Sequence, residues 1–317
     1  MKTSSKIYLA GHTGTVGSAV MRNLIAKGYH NIIYATSSEL DLRQQQSVED
    51  FFALHQPEYV IDAAAIVGGI LANNNFPYQF LVDNLLIQTN LMNASLRHHA
   101  EKFIFLGSSC VYPKLSPQPI KESYLLSSEL EPTNEWYAIA KIAGIKLCEA
   151  IRKQFGNNFV SLMPTNTYGP NDNFDLQTAH VLPSMIRKFH EAKLNNHAPV
   201  LLWGNGTAKR EFIFVDDLAD GVVFACNHPL KESMYNIGTG IDLSIRELSL
   251  LIQQIVGHQG PILWDETKPN GTPRKVLDVS KIGNEGWVAK TSLEAGLQKT
   301  YEWFQLHQHQ LRETKIG

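Results

Sequence analysis

The sequence predicts an α/β protein: a doubly wound parallel sheet of Rossmann type with a second, smaller substrate-binding domain. Three observations carry this. A short apolar strand, Lys6 to Ala10, runs straight into Gly11-His12-Thr13-Gly14-Thr15-Val16-Gly17. Apolar strand-length runs then alternate with helix-period segments to about residue 165. After Pro170 that alternation loosens into polar loops and short elements.

In chain order, Ser18 to Lys27 has helical apolar spacing and stops at Gly28, a favourable helix end. A strand, a glycine-rich turn and a helix in succession form a phosphate cradle. Glycines let backbone N–H groups approach a pyrophosphate at the helix N-terminus. The spacing here is GxxGxxG, and a turn that binds nothing is the plain alternative. Asn31 to Ala35 reads as the second strand. The residue that reads the cofactor ribose should follow it, as an acid for NAD or an Arg for NADP. Thr36-Ser37-Ser38-Glu39-Leu40-Asp41-Leu42 carries neither at the strand end, although Ser37 and Ser38 can donate to a phosphate.

Ser47 to His55 is helical and leads to a buried strand, Tyr59-Val60-Ile61-Asp62, and then Ala63-Ala64-Ala65. The small residues suit either close approach to a ligand or simple packing. Phe80 to His98 is a long helix with apolar residues on more than one face. Such a helix is buried on two sides, in a deep core or at a dimer interface. Lys102 to Gly107 is the fourth strand, with Ser108-Ser109-Cys110 at its carboxyl end, the edge where open α/β sheets bind ligands. Pro132-Thr133-Asn134 supplies a helix start. Tyr137 and Lys141 follow, four residues apart and so on one helix face. An ammonium beside a phenol favours the phenolate, so Tyr137 is expected to exchange a proton near neutral pH. Phe159 to Met163 is the next strand, ending in Pro164-Thr165-Asn166-Thr167.

We therefore divide the chain into a nucleotide-binding domain, residues 1–170, with return of 210–228, and a mainly substrate-binding domain, 171–317. Net charge is −2 and charged residues make up 18%, so nothing points to nucleic acid or an anionic membrane surface. No apolar run approaches the roughly 18 residues a membrane span needs. Cys110, Cys148 and Cys226 are the three cysteines, widely spaced and without metal-ligand spacing. We expect no metal, and a reduced, cytoplasmic setting.

With these residues in hand, the chain resembles the extended short-chain dehydrogenase/reductase family. Within it, the chain is similar to enzymes that epimerise and reduce GDP-4-keto-6-deoxy sugars. The generic part of the likeness is GHTGTVG with Tyr137 and Lys141. The specific part is FLGSSCVYPKL, EPTNEWYAIAKIAGIKLCE, MPTNTYGPNDNF, WGNGTAKREFIFVDD and NGTPRK. The resemblance implies NADPH-dependent 3,5-epimerisation and 4-keto reduction of GDP-4-keto-6-deoxy-D-mannose, and the apolar excess on the Phe80–His98 helix leads us to expect a homodimer. It implies Cys110 and His180 as the acid–base pair for epimerisation. An unperturbed thiol (~8.5) and imidazole (~6.5) bracket neutral pH, which suits proton exchange. Ser108, Tyr137 and Lys141 are implied to assist reduction.

The resemblance also implies a cofactor site of Gly11, His12, Thr13, Gly14, Thr15, Val16, Gly17, Ser37, Asp41, Leu42, Leu106, Gly107, Ser108, Lys141, Pro164, Thr165, Asn166, Thr167 and His180. Around the GDP-sugar it implies Lys188, Trp203, Arg210, Asn270 and Lys275. The family often has Arg at the positions of Thr13 and Ser37, Arg at Lys188, Asp at Asn270 and Pro at Trp136. Two alternatives stand beside this reading: a related GDP-deoxysugar enzyme with a colitose-type product, and a dinucleotide-sensing module without chemistry.

Overall fold

The computed structural model describes residues 1–268 and 270–309. Pro269 of the basic 268–275 segment and the end of the 171–317 region lie outside the described residues. The strands are β1 (Ile7–Ala10), β2 (Ile32–Ile33), β3 (Tyr59–Asp62), β4 (Lys102–Leu106), β5 (Asn158–Pro164), β6 (Asn166–Tyr168), β7 (Val200–Trp203), β8 (Lys209–Phe214), β9 (Met234–Ile237), β10 (Asp242–Ser244), β11 (Ile262–Asp265) and β12 (Arg274–Lys275). The helices are α1 (Thr15–Ala26), α2 (Gln45–His55), α3 (Ile70–Asn75), α4 (Pro77–Arg97), α5 (Glu135–Phe155), α6 (Val181–Leu194), α7 (Val215–Asn227), α8 (Ile245–Val256), α9 (Ser280–Asn284) and α10 (Leu293–His307).

Six strands form one sheet in the order β2-β1-β3-β4-β5-β9, every pairing parallel. Its strands are mainly apolar because both faces are covered. In β1, Ile7 and Leu9 enter one core with Leu24 of α1 and Val222 of α7. Tyr8 and Ala10 enter the opposite core with Phe52 of α2, Leu91 of α4 and Ile145 of α5. The period of two that sends successive side chains to opposite faces produces this split. A third core lies away from the sheet and joins Phe189, Leu202, Phe212, Leu248 and Phe304.

Two differences from the sequence reading stand out. The second strand is only Ile32–Ile33, because Ala35 and its neighbours already turn toward the Thr36–Glu39 loop. β9 joins the sheet by pairing with β5, while β8, at the start of the 210–228 segment, pairs instead with β6, β10 and β12. The chain winds outward in both directions from β1, so strand order reverses between β1 and β3. That switch point opens a crevice at the carboxyl edge.

Candidate active site

Gly11 leaves β1 with φ +76°, and a Cβ there would meet the Ala63 carbonyl oxygen at 2.5 Å. A Cβ on Gly17 would meet the Gly11 carbonyl oxygen at 2.0 Å. Both glycines are therefore required for the turn to lie this close to the β3 end. Gly14 N–H donates to Gly11 O at 2.9 Å and starts α1 without a side-chain cap. The first N–H groups of α1 thus face the crevice as donors. Thr15 Oγ1 donates to Asn171 O at 3.0 Å, which ties the 171–174 loop over this turn. His12 packs on Tyr34, ring centroids 4.6 Å apart, with a buried Nδ1 that has no partner. This cradle fits a dinucleotide pyrophosphate.

Of the residues expected to meet the adenosine phosphate, Thr13 and Ser37 are exposed. Asp41 is held by Arg43, with Nε–Oδ1 2.9 Å and Nη2–Oδ2 3.0 Å, and Arg43 also reaches Asp83. Leu42 O accepts from Asn90 Nδ2. At the far end of the crevice, Gly107 N–H donates to Leu162 O. Thr165 N–H donates to Ile237 O, and Asn166 Nδ2 donates to Glu211 O at 2.7 Å. Pro164 closes β5, and Thr167 Oγ1 donates back to Thr165 O.

The chemistry-bearing side chains collect where β4 meets α5. Gly144 lets α5 press onto the sheet, since a Cβ there would meet Phe105 Cζ at 2.5 Å. Gln88 of α4 fixes the helix from behind by donating to Ala140 O at 2.7 Å. Lys141 is 3% exposed. Its ammonium donates to Leu106 O at 2.9 Å and lies 5.9 Å from the Tyr137 ring centroid. Tyr137 is half-buried against Phe80.

The phenol does not behave as the spacing suggests. Its pKa is raised, first by burial and then by the charges of Cys110 and Asp62. Lys141 lies within reach of the ring but spends its hydrogen bond on Leu106 O, and burial brings its own pKa down to about 8. Tyr137 is therefore held as a neutral acid, the form that donates a proton to a developing alkoxide.

Ser108 is extended and starts a short 3-10 turn, accepting from Cys110 N–H on its Oγ at 3.1 Å. Its hydroxyl proton remains available to donate. Cys110 is half-buried, and Lys275 Nζ donates to its sulfur at 3.7 Å. β12 pairs with β8, with Lys275 beside Arg210. His180 occupies the position before α6 without making a capping bond. The residue is exposed, and desolvation of its ring, followed by the Lys275 charge, lowers its pKa. Lys275 thus acts on both Cys110 and His180.

The remaining predicted residues lie on the second region. Lys188 donates to Leu201 O at 3.2 Å. Trp203 is 60% exposed, with Lys268 Nζ 5.7 Å from its ring. Arg210 donates to Lys209 O, and Asn270 Oδ1 accepts from Asn205 N–H.

Among the described residues four buried acids, Asp62, Glu122, Asp172 and Glu211, had no role in the sequence reading. Glu211 is fully buried and accepts from the N–H groups of Thr239, Gly240 and Leu277. It thereby joins β8 to the segment leading out of β12. Asp62 ends β3 at 1% exposure. A charge closing an apolar strand was the available signal. Among the described residues, no three His, Cys, Asp or Glu side chains could hold a metal, and no helix is long and apolar enough to cross a membrane.

The fold and this constellation define a nucleotide-dependent enzyme of the sugar-modifying type, and the chain belongs to the NAD dependent epimerase/dehydratase family, which it matches over residues 7–238. Within that family it is similar to the GDP-L-fucose synthases. It is 54% identical to GDP-L-fucose synthase 1 of Arabidopsis thaliana, over 95% of this chain and 93% of that one. With GDP-L-fucose synthase of Escherichia coli strain K12 it shares 46%, over 98% and 99%. The solved GDP-L-fucose synthetase of Naegleria fowleri bound to NADP superposes with a TM-score of 0.90. That likeness is at 26% identity and covers 99% of this chain and 96% of that one.

Proposed function

We propose that this protein converts GDP-4-keto-6-deoxy-D-mannose to GDP-L-fucose by 3,5-epimerisation followed by reduction of the 4-keto group. The observation that carries the reading is the thiol of Cys110 under the Lys275 ammonium, beside a separate Ser108–Tyr137–Lys141 set. Reduction alone needs only the latter. A second acid–base group is needed to move protons at carbons 3 and 5, which the ketone acidifies.

Cys110 removes the proton from one face of the carbon, and His180 delivers a proton to the opposite face, which inverts the centre. The hydroxyls of Ser108 and Tyr137 donate to the carbonyl oxygen and stabilise the enolate. In the last step Tyr137 gives its proton to the oxygen, with Lys141 behind it. NADPH, held by the Gly11–Gly17 cradle, Leu106, Gly107 and the 164–167 strand end, supplies the hydride when bound. Thr13 and Ser37 carry no fixed charge for its 2′-phosphate, so discrimination against NADH is weaker than in an Arg-bearing relative. Lys188, Trp203, Arg210, Asn270 and Lys275 surround the GDP-sugar.

Two copies assemble through α4 and α5. Tyr78 and Leu86 on α4 and Trp136 and Ile139 on α5 are apolar and 37–68% exposed. An apolar face on two packed helices is covered by its twofold copy. The three free cysteines suit a reducing cytoplasm. The test is to incubate the protein with NADPH and GDP-4-keto-6-deoxy-D-mannose and identify the product by NMR. GDP-L-fucose is expected, and an unchanged sugar or one with a different configuration at carbons 3 or 5 defeats the reading.

A further inference from the structure

Asp62 ends the apolar run of β3. In register it lies beside Ala10 of β1 and Phe105 of β4. Its Oδ1 accepts from Ala64 N–H at 3.1 Å. Its Oδ2 is buried with no hydrogen-bond partner. An ionised carboxylate in that condition is costly unless a cation faces it.

Lys141 stands at the same edge. It lies 4.6 Å over the ring of Phe105, the residue in register with Asp62. An ammonium has three donors, and Leu106 O takes one. A buried carboxyl with an open oxygen and a buried ammonium with open donors therefore both neighbour Phe105 at this edge. Each charge acts on the other. Burial raises the Asp62 pKa to about 6 against the pull of Lys141, and lowers that of Lys141 to about 8 against the pull of Asp62. The other titratable groups that feel Asp62 are Tyr137 and Cys148 on α5 and Tyr8 on β1, none of them a cation.

We propose that Asp62 is a positioning residue for Lys141, its carboxylate being the buried counter-charge that keeps the ammonium ionised behind Tyr137. The proposal rests on the reduction chemistry assigned above to Tyr137 and Lys141. Burial by itself drives Lys141 to release its proton, and Asp62 opposes this. Between about pH 6 and about pH 8 both groups are charged, and Lys141 presents a positive charge toward the phenol. A purely structural role for Asp62, holding the Ala64 N–H, would be served equally by an amide.

Asp62→Asn separates the two roles, because it keeps the acceptor and removes the charge. Lys141 is followed by NMR of 13C-lysine-labelled protein, its resonance assigned with Lys141→Met. In Asp62→Asn the Lys141 pKa should fall by about one unit or more, the usual effect of losing a close opposite charge. The alkaline limb of kcat for reduction should move down with it. A Lys141 titration unchanged from wild type overturns the proposal. Should Asp62→Asn not fold, Lys141→Met provides the reciprocal measurement. It should raise the Asp62 carboxyl pKa, read by 13C carboxyl NMR, and an unchanged value again overturns the proposal. Both titrations need no sugar. A wild-type protein that fails to turn over GDP-4-keto-6-deoxy-D-mannose would sink the proposed function while these titrations still decide the role of Asp62.

Discussion

The ammonium of Lys275 donates to the sulfur of Cys110 across 3.7 Å, although the two residues are 165 positions apart. Lys275 comes from β12, and Cys110 from the turn after β4. The contact links the two regions at the point where proton exchange is proposed. The same charge reaches His180.

Separate machinery for epimerisation and reduction predicts separable losses. Cys110→Ser should incorporate almost no solvent deuterium at sugar carbons 3 and 5. It should still reduce the 4-keto group slowly, giving an unepimerised product. His180→Asn should permit the first deprotonation and stall the reprotonation, so exchange and stereochemistry fail differently. Mass spectrometry with NADPH absent and then present reads both. Wild-type incorporation in Cys110→Ser would make the thiol structural.

Tyr137 is held as an acid by burial and by neighbouring negative charge. Tyr137→Phe should lower the reduction rate by about a hundredfold or more, the range for a lost general acid. Nucleotide binding, measured by calorimetry, should be retained. Near-normal turnover would exclude the phenol from the proton transfer.

Gly17 has backbone where a side chain would go, because a Cβ there would stand 2.0 Å from Gly11 O. Gly17→Ala forces the cradle apart, a strain on the order of 1–3 kcal/mol. NADPH affinity should fall by about tenfold or more. Fluorescence titration with NADPH decides it, and an affinity equal to wild type would mean that the turn does not hold the cofactor.

Asp172 is buried with Oδ2 unpartnered, and burial raises its pKa to about 7 from 3.8. A raised folded-state pKa contributes stability that is present at low pH and lost as pH rises through about 7. The melting temperature should therefore fall from about pH 4 to about pH 7 and level off above that. Asp62 and Glu211, also raised by burial, act in the same sense. Asp172→Asn, whose amide resembles the protonated acid, should flatten that slope in thermal melts. A slope identical to wild type would show that Asp172 is not the proton acceptor.

Assembly through α4 and α5 predicts that Leu86→Asp combined with Ile139→Glu yields a monomer by light scattering. The fold should survive, because both positions are partly exposed in the single chain. A dimer that persists in the double variant places the interface elsewhere.

Local pattern was enough for much of this molecule. The alternation of apolar runs marked β1, β3, β4 and β5 and the helices between them. The glycines after β1 marked a cradle, because a turn that tight excludes a Cβ. The spacing of Tyr137 and Lys141 marked one helix face. Each of these depends on residues within a turn or two of one another. Packing between distant segments decided the rest. The strand order, the entry of β9 beside β5 and the meeting of Lys275 with Cys110 join residues far apart in the chain. The direction of the Tyr137 shift depends on how deeply the phenol is buried and which charges surround it, so its four-residue spacing to Lys141 suggested the opposite sign. In the sequence Asp62 only closes an apolar strand and Glu211 only sits within one, and neither is marked with a role. They became central because desolvation, set only by the folded neighbours, determines what a charge costs and which partners it requires.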